Sequence, residues 1–110
     1  MIDRRLNYGR HLISRFVSDT APNRVLDIGA GRGIDLLSAK EAFPEAQLFA
    51  VESWRPYADE LSEKGISVFA INLEHDSVPV ADETFDVVIA NQVLEHCKEL
   101  FWILHEATRV

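Results

Sequence analysis

Three observations predict an α/β protein, a three-layer α/β/α sandwich built on a parallel sheet. An apolar strand around Val25-Leu26-Asp27-Ile28 runs directly into a glycine turn, Gly29-Ala30-Gly31-Arg32-Gly33, and then into a segment with helical apolar spacing. From that turn to residue 71 strand-like and helix-like stretches alternate as βαβαβ, with connections short enough to set the strands parallel and cover both faces with helices. The polar candidates Asp27, the glycines and Glu52 all fall at the carboxyl ends of those strands, the edge at which open parallel sheets bind ligands.

Taken in order, residues 2–17 place Ile2, Leu6, Ile13, Phe16 and Val17 near one face and most arginines elsewhere, which predicts an amphipathic helix lying on a larger body. It is expected to end before Asp19, Thr20 and Pro22, so the chain divides into a leading helix, residues 1–18, and a binding domain, residues 19–110. After the first strand and its turn, Ile34, Leu36, Leu37, Ala39, Ala42 and Phe43 recur at helical spacing. The turn therefore sits at a helix N-terminus, where amide groups and the helix dipole favour an electron-rich ligand. Phe43-Pro44-Glu45 breaks that helix, and Gln47 to Val51 forms a second strand closing on Glu52. Pro56 stands in the first turn of a helix through about Lys64, Gly65 ends it, and Ile66 to Ile71 is a third strand. A polar loop containing Pro79 leads to a fourth strand, Val87 to Ala90. From Val93, a continuous helix is predicted by Leu94, Cys97, Leu100, Phe101, Leu104 and Ala107, with Trp102 and Ile103 widening its apolar face.

Composition narrows the function. The 110 residues, 47% hydrophobic and 26% charged, suit one globular domain or part of one. No apolar run approaches the ~20 residues of a membrane helix, and residues 1–15 lack the apolar core of a secretory signal, so a cytoplasmic protein without membrane contact is expected. The single cysteine, Cys97, excludes an internal disulfide and falls on an apolar stripe as a small packing residue. Of the net charge of −7, residues 1–18 carry four arginines against one aspartate, leaving an acidic body that disfavours nucleic acid as a partner.

The glycine turn has two possible nucleotide-like ligands. A dinucleotide fingerprint places its third glycine or alanine three residues after the second, which here is Ile34, whereas the glycine is Gly33. Glu52, about twenty residues beyond the turn at a strand end, is placed to accept from both hydroxyls of a ribose, and Ser53 and Trp54 follow it as wall residues. His75-Asp76 and Glu95-His96 are adjacent pairs without metal-ligand spacing, so no metal site is expected. His96, at the ligand edge, is a candidate general base, because imidazole titrates near neutrality.

An acid two places before GxGxG, here Asp27, Gly29, Gly31 and Gly33, resembles the first motif of the class I S-adenosylmethionine-dependent methyltransferases. The later run reinforces it: Val78-Pro79-Val80-Ala81-Asp82-Glu83-Thr84-Phe85-Asp86-Val87-Val88 is similar to that family's L-P-F-x-D-x-S-F-D-V-V. The end of the fourth strand, Asn91-Gln92-Val93-Leu94-Glu95-His96, resembles its N-x-V-L-E-H. Val80 departs from the usual phenylalanine and Asn72 from the usual aspartate. The resemblance spans about residues 20–110 and implies a Rossmann-like sheet of order 3-2-1-4 that stops before the family's strands five to seven. It implies S-adenosyl-L-methionine as cofactor and displacement of its methyl group by an acceptor nucleophile of unstated identity. In that reading Asp27 and the backbone of Gly29, Ala30, Gly31 and Gly33 hold the methionine end, Glu52 the ribose, Ser53 a wall of the adenine, Asn72 and Leu73 the adenine edge, and Asn91 the methionine moiety. Tyr8, Gly9 and Arg10 are candidates for a substrate entrance. An open fourth strand suggests self-association through its edge. Two alternatives share the pattern: a non-catalytic binding module or truncated fragment, and an NAD(P)-dependent oxidoreductase.

Overall fold

The computed structural model describes residues 9–110, so the expectations for Ile2, Leu6 and Tyr8 lie outside the described residues. Helix α1 (Arg10–Thr20) precedes β1 (Arg24–Ile28), α2 (Ile34–Ala42), β2 (Gln47–Val51), α3 (Arg55–Glu63), β3 (Ser67–Phe69), β4 (Val87–Ile89), a 3₁₀ turn (Leu94–His96) and α4 (Leu100–Arg109). The four strands form one parallel sheet in the order β3-β2-β1-β4, as anticipated.

Register follows from apolar side chains on both faces of the central strands, the pattern of a sheet buried on both sides. Asp27 pairs with Ala50 of β2 and Ile89 of β4, and Val51 pairs with Phe69. Alternation then sorts the core into two layers. Val25, Leu48 and Ala50 pack with Leu36, Ala39, Leu61 and Val17 from α2, α3 and α1. Leu26, Ile28 and Val51 pack on the other side with Leu73, Val78, Ile103 and Val110. Asp27 shares the parity of Val25 and so turns toward the α1 and α2 side, nearly sealed at 4% exposure.

Three boundaries depart from expectation, each for a local reason. Helix α1 runs on to Thr20 because the Thr20 hydroxyl donates to the Phe16 carbonyl at 3.0 Å, and the chain leaves it at Ala21 in the left-handed region (φ 49°), ahead of Pro22. Strand β3 is only three residues long, since its partner β2 ends at Val51, opposite Phe69. The helix expected from Val93 is interrupted: Cys97 is extended (φ −102°, ψ 143°), and the Glu74 carboxylate accepts the backbone N–H groups of Lys98 and Glu99 just ahead of α4. Apolar spacing hides this break, because Val93, Leu94 and Cys97 pack on the same core as Ile103 and Ala107.

A buried ion pair fastens the long loop after β3. Glu106 of α4, 1% exposed, accepts the Val78 N–H at 2.8 Å and both Nε and Nη2 of Arg109. Arg109 in turn donates to the carbonyls of Val78 and Val80 and to Asp82. The pairing holds the Glu106 carboxyl below its ordinary range. Asp86 similarly anchors the entry to β1, its Oδ2 accepting from Asn23 and Arg24.

Candidate functional site

The carboxyl edge of the sheet carries two cavities that share Gly29. The first, about 320 Å³, is lined by Ile28, Gly29, Val51, Glu52, Ser53, Ile71, Asn72, Leu73, Glu74, Val93, His96, Cys97 and Ile103. The second, about 250 Å³, is lined by Arg10, Asp27, Gly29, Ala30, Gly31, Arg32, Ile34, Asp35, Tyr57 and Asn91. The sequence candidates thus separate into two groups: Glu52, Ser53, Asn72 and Leu73 around one space, and Asp27, Ala30, Gly31 and Asn91 around the other.

The glycines have different tasks. All three adopt positive φ. A Cβ on Gly29 would lie 2.6 Å from Val93 Cγ2, and one on Gly33 would lie 2.6 Å from Leu61 Cδ2, so these two let side chains close over the turn. A Cβ on Gly31 would meet nothing within 4 Å, which leaves its backbone open to the second cavity. Gly33 caps α2 and lines neither cavity.

Glu52 is fastened to the turn. Its Oε1 accepts the Gly31 N–H at 2.9 Å and its Oε2 accepts the Trp54 N–H at 3.0 Å. The turn's amides are therefore partly engaged by a carboxylate of the protein, and each Glu52 oxygen keeps the capacity to accept a further donor. Asn72 uses its Oδ1 to accept from the Glu74 N–H at 3.1 Å, while its own N–H donates to Asp76, so the loop after β3 is a compact polar turn. Ser53 and Leu73 complete that wall. Trp54 is 55% exposed and packs edge-on to Tyr57 at 4.5 Å, outside the cavity lining.

Asp27 has the opposite surroundings. Burial pushes its carboxyl up to about 8, reinforced by the negative charge of Asp35 and to a lesser extent Glu52, and opposed by Arg10. Asn91 adds a buried amide, Nδ2, with no hydrogen-bond partner. A buried donor left unmatched and a buried acid whose charge is disfavoured by burial are both costly, and both line the same small space.

His96 reaches the first cavity from the 3₁₀ turn, with a side chain 78% exposed and 3.5 Å from Glu95. Cys97 beside it also lines the wall, its thiol donating to the Val93 carbonyl at 3.2 Å and raised by burial. Among the described residues no three His, Cys, Asp or Glu side chains gather as a metal set, and no helix is long and apolar enough to cross a membrane.

Sequence reasoning passed over Asp35, whose helical position looks like a solvated first-turn acid but which is only 9% exposed beside Asp27. The wall residues Ile71, Val93 and Ile103 read as ordinary core, with nothing local to mark them.

Comparison with known proteins places these features. The methyltransferase domain family matches residues 26–110. Malonyl-[acyl-carrier protein] O-methyltransferase of Methylococcus capsulatus is 31% identical over 99 residues, covering 81% of this chain and 34% of the relative. The protein of the same name from Xylella fastidiosa is 28% identical over 88 residues, covering 77% of this chain and 30% of the relative. The chain thus spans about a third of the length of these curated relatives. Among solved structures, the plantazolicin methyltransferase BpumL, crystallised with a desmethylPZN analog and SAH, superposes with a TM-score of 0.76 at 18% identity, covering 94% of this chain and 43% of that one.

Proposed function

The chain belongs to the methyltransferase domain family, and we propose that its glycine-turn edge binds S-adenosyl-L-methionine for methyl transfer to an acceptor nucleophile. The observation that carries this reading is the buried Asp27 beside the unmatched Asn91 amide in a cavity of about 250 Å³. An ammonium and a carboxylate on one ligand would satisfy both, and the methionine end of the cofactor has that pair. The larger cavity across Gly29, with Glu52 and the apolar Ile71, Leu73 and Val93, has the size and chemistry for an adenosine.

When bound, the cofactor supplies a methyl group activated on a sulfonium. The protein's part is placement. Asp27 takes the ammonium, the open Gly31 backbone permits close approach, Glu52 presents its free lone pairs to the ribose hydroxyls, and Leu73 with Asn72 bounds the adenine edge. Gly29 sits where the two cavities meet, so the reactive sulfur is expected beside it and Val93. His96, exposed and turned to the adenosine side, is read as a wall residue, with proton transfer left as its secondary role. We place the protein in the cytoplasm, in keeping with its lone cysteine, and take residues 19–110 as the binding domain behind the leading helix of residues 1–18.

Calorimetric titration with S-adenosylhomocysteine, with NAD and NADP in parallel, tests the cofactor. Binding of the homocysteine ligand alone, weakened by Glu52→Ala, supports the reading; selective binding of a dinucleotide would replace it with an oxidoreductase. A second reading rests on β4, which lies at the sheet edge beside the exposed Leu12 (47%) and Phe16 (66%) of α1. Such an edge favours strand pairing between copies. Light scattering of the chain should then show dimers or larger species.

A further inference from the structure

The loop after β3 is fastened along α4 at three places with a regular spacing. The Val78 N–H donates to Glu106 at 2.8 Å, Nε1 of Trp102 donates to the Asp76 carbonyl at 3.2 Å, and the Glu74 carboxylate accepts the backbone N–H groups of Lys98 and Glu99. Loop positions 78, 76 and 74 thus meet chain positions 106, 102 and 98–99, two loop residues for each helical turn of about 5.4 Å. Asp76, Val78, Trp102 and Glu106 do not line the first cavity, whereas Glu74 does. That cavity takes part of its lining from residues 71–74 and part from Val93, His96 and Cys97, and the Glu74 carboxylate joins the two segments. Residues 92–99 run from the end of β4 to α4 through the 3₁₀ turn and the extended Cys97, with Val93, Leu94 and Cys97 packed against the core. Among the described residues, no side chain from outside residues 92–99 other than Glu74 hydrogen-bonds this segment.

We propose that Glu74 is a positioning residue for the adenosine half of the cofactor, holding residues 93–99 where they close the first cavity. The inference rests on the cofactor reading above. Glu74 acts through the segment it fastens. Its Oε1 takes both N–H groups at the start of α4, where backbone donors lack intrahelical partners, so one contact both caps the helix and sets where the preceding 3₁₀ turn lies. Asn72 shares in it, because its Oδ1 accepts the Glu74 N–H at 3.1 Å and so ties the adenine edge to the same turn. Without the carboxylate, a ligand must order residues 93–99 as it binds, and that cost is read as lost affinity. A glutamine keeps the acceptor oxygen and an alanine does not.

Hydrogen exchange of the Lys98 and Glu99 amides, followed by NMR, reads the contact. Calorimetry reads affinity for S-adenosylhomocysteine and for 5′-methylthioadenosine, which keeps the adenosine and lacks the amino-acid end. Both are applied to the wild type, Glu74→Ala and Glu74→Gln, at a temperature where thermal unfolding shows every protein folded. Glu74→Ala should speed exchange of the two amides by on the order of tenfold and weaken both ligands by the same factor, roughly 3- to 10-fold. Glu74→Gln should keep most of the protection and most of the affinity. In the wild type alone, saturating 5′-methylthioadenosine should slow the same two amides further, because coupling between the contact and the ligand is reciprocal. Lost affinity without faster exchange, or a Glu74→Gln variant that keeps protection yet binds as weakly as Glu74→Ala, would make Glu74 a direct ligand contact and overturn the assignment. Faster exchange with unchanged affinity, weakening of S-adenosylhomocysteine alone, or wild-type amides that do not respond to the ligand also overturn it. These outcomes leave the cofactor reading in place, whereas a wild type that binds neither ligand overturns both.

Discussion

Asp27 and Glu52 stand at the carboxyl ends of neighbouring parallel strands, Asp27 within β1 and Glu52 one residue past the end of β2. Their settings are opposed. Glu52 lies at the surface end of its strand with both oxygens already matched to backbone N–H groups of the glycine turn and of Trp54. Asp27 is almost sealed, and its carboxyl is lifted to about 8 by burial and by Asp35. One carboxylate is stabilised before any ligand arrives and suits neutral hydroxyl donors. The other is held in an environment that disfavours its charge until a cation joins it. Burial and register produce this difference: a residue on the strand's inner parity is covered by α1 and α2, whereas one step past the strand end reaches the rim.

The comparison breaks most sharply at Asp27. Asp27→Asn should cost about 100-fold or more in S-adenosylhomocysteine affinity by removing the partner of the ammonium. The same variant should raise the stability of the ligand-free protein at neutral pH by on the order of 1–3 kcal/mol. The sign follows from linkage: the unfolded carboxyl ionises near 3.8 and the folded one near 8, so the unfolded chain binds fewer protons over that window and stability falls as pH rises through it. Denaturant unfolding at pH 5 and pH 8 checks this, with the wild type losing stability between them and Asp27→Asn losing less. An equal pH dependence in the two proteins would remove the contrast with Glu52.

Next in size is the glycine that closes over the turn. Gly29→Ala would force a Cβ to 2.6 Å from Val93 Cγ2 at a φ of 69°, and about 2–4 kcal/mol of stability should be lost. Gly31→Ala, equally strained at φ 57° but with open space around it, should cost about 1 kcal/mol and spend its effect on ligand approach. Thermal unfolding of the two variants side by side reads the difference. Glu52→Gln should weaken the ligand about tenfold, since the amide replaces one acceptor with a donor against the N–H of Gly31 or Trp54. His96→Ala is the smallest, under about threefold in affinity, because the side chain is largely solvated.

How far the sequence revealed these settings differs by residue. The alternation of strands and helices and the edge on which Asp27, Glu52 and the glycines lie were legible, because apolar runs and the helix-end residues Gly65 and Pro56 encode them locally, whereas the sheet order came from the resemblance of the glycine turn and the fourth-strand end to the methyltransferases. The fates of the glycines were not, since that Gly33 packs on Leu61 and Gly31 on nothing depends on partners distant in sequence. Asp35 and Glu106 went unmarked in the sequence, where an acid on a helix is ordinary. Each is buried by a distant partner, Arg10 on α1 for one and Val78 with Arg109 for the other, and such pairings leave no spacing signal. The break at Cys97 escaped for the same reason, being set by Glu74 from the loop after β3.

The most direct test is the pH dependence of S-adenosylhomocysteine binding between pH 6 and 7.5, measured by calorimetry on the wild type and on Asp27→Asn. With Asp27 ionising near 8 in the free protein and charged in the complex, wild-type affinity should rise severalfold per pH unit across this range, and the variant's weaker affinity should stay flat. A flat wild-type profile, or a variant that binds as tightly as the wild type, would contradict the claim that the buried Asp27 recognises the cofactor.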